Sequence, residues 1–247
     1  MPVRLALFIL LATLLAGCGS PPAAPAPIAT PARQPLVIAA VSCESRIREV
    51  DANLARIEHW ARRAHAAGAH LVLFPESGIH AWWQSRENRE FAEPIDGPSI
   101  RRLVTLAREL DIILAVGMTE LDGNRAYITH VLIDPAAPGP PTGILGTHRK
   151  SALAGGPTGE ASVWDQGNDA NVFTIRGHKV GIAICFESVE PETCAALRAN
   201  GAEIILAPYA NGTRPTDITR PAANHPPYLR ARLTADPDLN LARSAPP

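Results

Sequence analysis

Between Leu36 and Glu76 the chain runs through a short apolar stretch (LVIAAVS), then apolar residues spaced three and four apart (Ile47, Val50, Leu54, Ile57, Ala61, Ala64), then Gly68 and a second apolar stretch (HLVLFPE). Spacing of three and four puts side chains on one face of a helix, and short β-branched runs bounded by turn residues suit buried strands. Strand, helix and strand in that order confine the chain to folds that layer helices on a sheet. After a loop holding Trp82 and Trp83, DGPSIRRLVTLAREL (96–110) predicts a second helix, with Pro98 in its first turn and Ile100, Leu103, Val104 and Ala107 on one face. DIILAVGM (111–118) and AYITHVLID (126–134) predict strands, the second with clear two-residue alternation. TGILGTHRK, NVFTIRG and KVGIAICF predict three more, the last two joined across Gly177-His178. A helix from about Pro191 to Asn200, ended by Gly201, precedes the strand AEIILAPY. Helices gather early and strands late, so a layered α/β fold with a mixed sheet is expected rather than a purely parallel one.

The N-terminus belongs to a different kind of sequence. Arg4 precedes an apolar core from Leu5 to Ala16 and then small residues, the pattern of a signal peptide and too short for a spanning helix. Leu15-Ala16-Gly17-Cys18 resembles the lipobox of bacterial lipoproteins, which implies cleavage before Cys18 and a lipid on its sulfur. The Pro/Ala-rich stretch 21–35 cannot build a core and reads as an extended tether. The expected organisation is therefore a signal at 1–17, a lipidated Cys18 and tether at 18–35, and one folded domain over 36–247. Its expected place is exported and lipid-anchored to the cell envelope, on the periplasmic side, in the outer membrane if the cell is Gram-negative. A net charge of −1 gives no footprint for nucleic acid.

Of the four cysteines, setting Cys18 aside leaves Cys43, Cys185 and Cys194. An odd number leaves at least one thiol unpaired in a monomer, although a Cys43–Cys194 disulfide stays open. Three predicted strand ends carry an unusual polar residue: Glu76 after LVLFP, Lys150 after GILGTHR and Cys185 after GIAI. The carboxyl ends of strands are where α/β folds build sites.

LVLFPES, THRKSAL and GIAICFESVEPE resemble the three signature segments of the nitrilase, or carbon-nitrogen hydrolase, superfamily, and NGAEIILAPYANGT resembles the strand and loop that follow. The similarity runs from about Leu36 to Asn211. It implies an α-β-β-α sandwich, commonly stacked on a second copy, which leaves a homodimer open as the assembly. It also implies roles by position: Glu76 as general base, Lys150 as the transition-state lysine, Cys185 as nucleophile, and Glu160, in a looser match, as a second glutamate.

The chemistry asks for these residue types independently. A thiolate splits amide hydrolysis into acylation and deacylation through a thioester. A free cysteine is mostly protonated at neutral pH, so a base must take its proton, and Glu76 can do so and later return one to the leaving amine. Lys150 and the backbone N–H of Phe186 are expected to hold the oxyanion. No cofactor or metal is called for: the eight histidines lack the H-E-x-x-H spacing of a metal site, and GILGT lacks the Lys-Ser/Thr of a phosphate loop. His148, two residues before Lys150, is not expected to form a Cys-His dyad, for want of a thiol-protease signature. Glu187 reads as a salt-bridging residue supporting the nucleophile turn, and Glu192 as a carboxylate at a helix start. Trp82, Trp83 and Phe91 either wall the pocket or pack on the domain. His59 and His65 read as surface residues.

After Asn211 the likeness fades, and YLRARLTADPDLNLARSA reads as the remains of a helix and strand before Pro247. An open sheet edge and an incomplete C-terminal core are expected. Three functional readings follow. The first is hydrolysis of a non-peptide carbon-nitrogen bond in a small linear amide, ahead of a nitrile. The others are acyl transfer of the kind catalysed by the superfamily's apolipoprotein N-acyltransferase, and a non-catalytic lipoprotein that binds rather than cleaves.

Overall fold

The computed structural model describes residues 33–138, 141–168 and 170–210 in full, and 230–233 and 239–243 by their backbone. The signal segment, Cys18, most of the tether and the segment 211–229 lie outside the described residues. In chain order the elements are β1 (Val37–Val41), α1 (Val50–Ala66), β2 (Leu71–Leu73), α2 (Pro98–Leu110), β3 (Ile113–Asp122), β4 (Arg125–Ile133), β5 (Ile144–Arg149), β6 (Val172–Ile175), β7 (His178–Ile182), α3 (Pro191–Ala199), β8 (Ile204–Leu206), β9 (Arg230–Leu233) and β10 (Leu239–Arg243).

Helix α1 forms on the expected spacing and buries Leu54, Ile57, Ala61 and Ala64. Ile47 lies ahead of it and is exposed, because the chain first turns at Arg46, whose backbone is held at both ends by the Asn53 side chain. His59 and His65 are exposed on this helix. Helix α2 opens with Pro98 at its first position, where a missing N–H costs nothing. The Glu93 carboxylate accepts from Ser99 N at 2.9 Å, placing negative charge at the positive end of the helix.

The larger sheet is seven-stranded in the order β5-β4-β3-β2-β1-β10-β9, and a second sheet runs β6-β7-β8. Pairs β1–β2, β2–β3 and β7–β8 are parallel and the rest antiparallel, so both sheets are mixed. Alternation along each strand sorts the side chains into two cores. On one face of the larger sheet Leu114, Val116 and Met118 pack with Leu54, Ile57 and Leu103 of the helices. On the other, Ile113, Ala115 and Ile128 meet Val180, Ile182, Ile184 and Trp164 of the smaller sheet and its loops. Helix α3 covers the far side of the smaller sheet, where Leu197 lies so close to Gly181 that a Cβ there would sit 3.0 Å from Leu197 Cδ2. The layers are therefore α-β-β-α, as expected.

Three local expectations are corrected. Strand β4 is buried on both faces from Ala126 to Ile133, because the second sheet covers the face turned away from the helices. The β6–β7 hairpin turns on Arg176 and Gly177, both at positive φ (51° and 84°), and His178 already pairs with Ile175; two positive φ values give the mirror-image turn whose twist matches paired strands. Near the C-terminus, β9 and β10 are antiparallel strands that extend the larger sheet beyond β1, in place of a helix and a strand.

Candidate active site

Three loops deliver the polar residues singled out in the sequence to one place. Beyond β2, Phe74 N still bonds Ala115 O at 2.9 Å, and Pro75 then turns the chain so that Glu76 sits 2% exposed. Directly after β5, both backbone groups of Lys150 are pinned: its N donates to Ile128 O at 2.8 Å, and its O accepts from Gly167 N at 2.9 Å. Three residues past β7, Cys185 opens a short 3-10 turn (Cys185–Val189) with φ of 50°. A non-glycine residue at positive φ is uncommon, and here it falls at a half-buried residue on the edge of the core between the sheets. The turn is held by Cys185 N donating to Pro208 O (2.8 Å) and Ser188 Oγ donating to Cys185 O (2.8 Å).

The structure brings Glu76, Lys150, Glu160 and Cys185 together. Lys150 Nζ, fully buried, donates to Glu76 Oε1 at 2.8 Å and to Glu160 Oε1 at 2.9 Å. Glu76 Oε2 accepts from Ala210 N at 3.1 Å, and the Cys185 thiol and the same carboxylate shift each other's proton affinity. Burial pushes the Cys185 thiol up to about 11, with the Glu76 charge adding to it. Burial also raises the Glu76 carboxyl above the ordinary carboxylate range, Lys150 opposing and Glu160 reinforcing. For Lys150, burial works against the charge, yet the two glutamates outweigh it and the ammonium is kept. Sulfur therefore holds its proton more tightly than a free thiol does and Glu76 more tightly than a free carboxyl, beside an ammonium that keeps its charge.

Glu160 accepts from three donors: Lys150 Nζ, Trp82 Nε1 (2.9 Å) and Ala154 N (2.7 Å). This occupies it with holding Lys150 rather than with proton transfer. Phe186 N–H is an early amide of the 3-10 turn, and such amides have no acceptor within their own turn. Of the aromatic candidates, Trp82 reaches the site through Glu160 and stacks on Trp164 at 6.2 Å, while Trp83 and Phe91 both lie under the Arg48 guanidinium. His148 does not face the sulfur; its Nε2 is 2.8 Å from Glu187 Oε2. Cys185 and Cys194 are free thiols, so the Cys43–Cys194 disulfide left open by the sequence is not formed.

Some participants had no readable signal in the sequence. Ala210 N, Pro208 O and Ser151 act through backbone or local geometry. Gly117 in β3 is required because a Cβ there would meet Ser77 N, Pro75 O and Glu76 C, the backbone that carries Glu76.

Residues 37–232, which span Glu76, Lys150, Glu160 and Cys185, match the pattern of the carbon-nitrogen hydrolase family. The chain belongs to the carbon-nitrogen hydrolase family. Among this family's curated members, the chain is similar to N-carbamoylputrescine amidase of Solanum lycopersicum, with 32% identity over 183 residues, 72% of this chain and 59% of that protein. Citrullinase of Francisella tularensis is 30% identical over 169 residues, 66% of this chain and 57% of that protein. The chain thus spans about three fifths of the length of these curated relatives. Among solved structures, an amidase from Nesterenkonia sp. superposes with a TM-score of 0.58 at 26% identity, covering 70% of this chain and 64% of that one. The family's fold and the layers described above are the same.

Proposed function

We propose that the protein hydrolyses a non-peptide carbon-nitrogen bond of a small linear amide through a thioester on Cys185. The observation that carries this reading is the convergence of Lys150 Nζ on Glu76 and Glu160 at 2.8 and 2.9 Å, with the Cys185 thiol electrostatically coupled to Glu76. In acylation, the Cys185 proton passes to Glu76 as sulfur bonds to the amide carbon, and the developing oxyanion is stabilised by Lys150 and Phe186 N–H. The C–N bond then breaks and the proton on Glu76 goes to the departing amine. In deacylation, Glu76 takes a proton from water, water oxygen bonds to the thioester carbon, and the proton returns to sulfur as the acid leaves. Amidase relatives support amides as the substrate class. Attachment to the envelope by a lipid on Cys18 is part of the same proposal; it is supported by Leu15-Ala16-Gly17-Cys18 and the Pro/Ala-rich stretch after it.

The test is ammonia release from acetamide, propionamide and benzamide by the full chain, with intact-mass detection of an acyl adduct. Cys185→Ala should abolish both signals. Glu76→Gln should lower turnover by about 10²–10⁴-fold and slow alkylation of Cys185 by iodoacetamide at neutral pH. Ammonia release that survives Cys185→Ala, or a wild type that never carries an acyl group, overturns the reading.

A further inference from the structure

Glu187 is fully buried, and both of its carboxylate oxygens are doubly occupied. Oε1 accepts from Ser151 N and Ser151 Oγ, each at 2.6 Å; Oε2 accepts from Ile184 N at 2.6 Å and from His148 Nε2 at 2.8 Å. Burial works against the charge, but the His148 and Ser151 hydrogen bonds hold this carboxyl below the ordinary range, so it is ionised and His148 Nε2 carries the hydrogen. The donors come from opposite sides of the site. Ser151 follows Lys150 at the end of β5 in the larger sheet, whereas Ile184 precedes Cys185 beyond β7 in the smaller one. Glu187 touches none of the reacting groups described above.

We propose that Glu187 is a positioning residue: one buried carboxylate bolts the segment bearing Lys150 to the turn bearing Cys185, and so sets the distance between the ammonium and the carbonyl oxygen of the bound acyl group. This rests on the hydrolase reading and adds to it what keeps the oxyanion site in register. An isosteric glutamine cannot replace it. Whichever way the amide is turned, its NH2 meets a backbone donor, Ser151 N on one side or Ile184 N on the other, and that N–H is orphaned. Aspartate keeps the charge but is a methylene too short to hold both sides.

The experiment uses two probes of the same sulfur in the full chain. Transfer of an acetyl group from p-nitrophenyl acetate passes through a tetrahedral oxyanion: sulfur bonds to the acyl carbon, p-nitrophenolate leaves with the C–O electron pair, and the thiol proton passes to Glu76. Alkylation by iodoacetamide displaces iodide and forms no oxyanion. A shift of about 1 Å in a positioned group costs about 10²-fold. In Glu187→Gln, acetylation of Cys185 followed by intact mass should therefore fall by about 10- to 100-fold, with alkylation within about threefold of wild type, each rate taken per folded molecule from thermal unfolding. Ser151→Ala, which keeps the Ser151 N–H bond, should show the same divergence at about three- to tenfold, and it serves as the measurement if Glu187→Gln does not fold. Acetylation and alkylation that fall by the same factor, or that both stay at wild-type rates, overturn the positioning role. A wild-type Cys185 that alkylates but takes no acetyl group defeats the hydrolase reading itself, and the positioning role with it.

Discussion

Adding one methyl group to the middle of β3 should disable Glu76, the general base of the proposed reaction, without touching its side chain. A Cβ on Gly117 would stand 2.4 Å from Ser77 N, 2.6 Å from Pro75 O and 2.9 Å from Glu76 C. All three are backbone atoms, so no side chain can rotate away. Relaxing the tightest of these to an ordinary separation of about 3.5 Å requires the loop carrying Glu76 to retreat by about 1 Å. Overpacking of this kind costs about 1–3 kcal/mol of stability. The larger effect is on chemistry, since moving a general base by about 1 Å lowers its step by about 10²-fold. In Gly117→Ala, acetylation of Cys185 by p-nitrophenyl acetate should drop by about that factor while most of the protein stays folded at 25 °C. Alkylation of Cys185 at neutral pH should slow as well, because proton removal from sulfur is shared by both reactions. A variant that melts a few degrees lower but reacts at wild-type rates would show that the loop can shift without moving the carboxylate, and would refute the reasoning.

Trp82→Phe removes one of the three donors to Glu160 while keeping an aromatic ring against Trp164; a hydrogen bond to a charged acceptor is worth about 1.5–3 kcal/mol, so acetylation of Cys185 should fall by about tenfold or more, and an unchanged rate would mean that Lys150 and Ala154 alone hold Glu160. Acid stability provides a separate check on the space between the sheets. Burial pushes the His130 imidazole down to about 3, the like charge of His148 adding to it. The unfolded chain therefore takes up a proton near pH 6.5 that the folded chain refuses, and the stability held above that pH is lost, at up to about 1.4 kcal/mol per pH unit, as the pH falls toward 3. Urea midpoints measured from pH 7 to pH 4 should show this slope, and His130→Leu should remove that part of it; an identical slope in the variant would place the acid sensitivity elsewhere.

How far a residue could be read from the sequence depended on whether its role is local. The helices were legible because Leu54, Ile57, Ala61 and Ala64, or Ile100, Leu103 and Val104, share a face by spacing alone. The strand ends carrying Glu76, Lys150 and Cys185 were legible because polar residues stood where apolar runs stopped. What β4 meets on its second face was not, since His130, on the face of Ile128 and Leu132, reads as a solvent-side residue until a second sheet covers it. Trp82 and Trp83 are neighbours with different partners, one on Glu160 and the other under Arg48, and no pattern of spacing separates them. Glu187 was legible as a supporting acid, but its partners Ser151 and His148 lie more than thirty positions away and are joined to it only by the packing of the two sheets. The need for glycine at 117 is likewise a contact between β3 and a distant loop.

The groups proposed to carry the chemistry do not share a sheet: Glu76 and Lys150 stand at the rim of the seven-stranded layer and Cys185 at the rim of the three-stranded one. The apolar filling between them, Ile128 and Leu132 against Ile182, Ile184 and Trp164, is therefore a spacer whose thickness sets the gap across which sulfur meets its base. Trimming that filling should change the reach of sulfur toward Glu76 as well as stability.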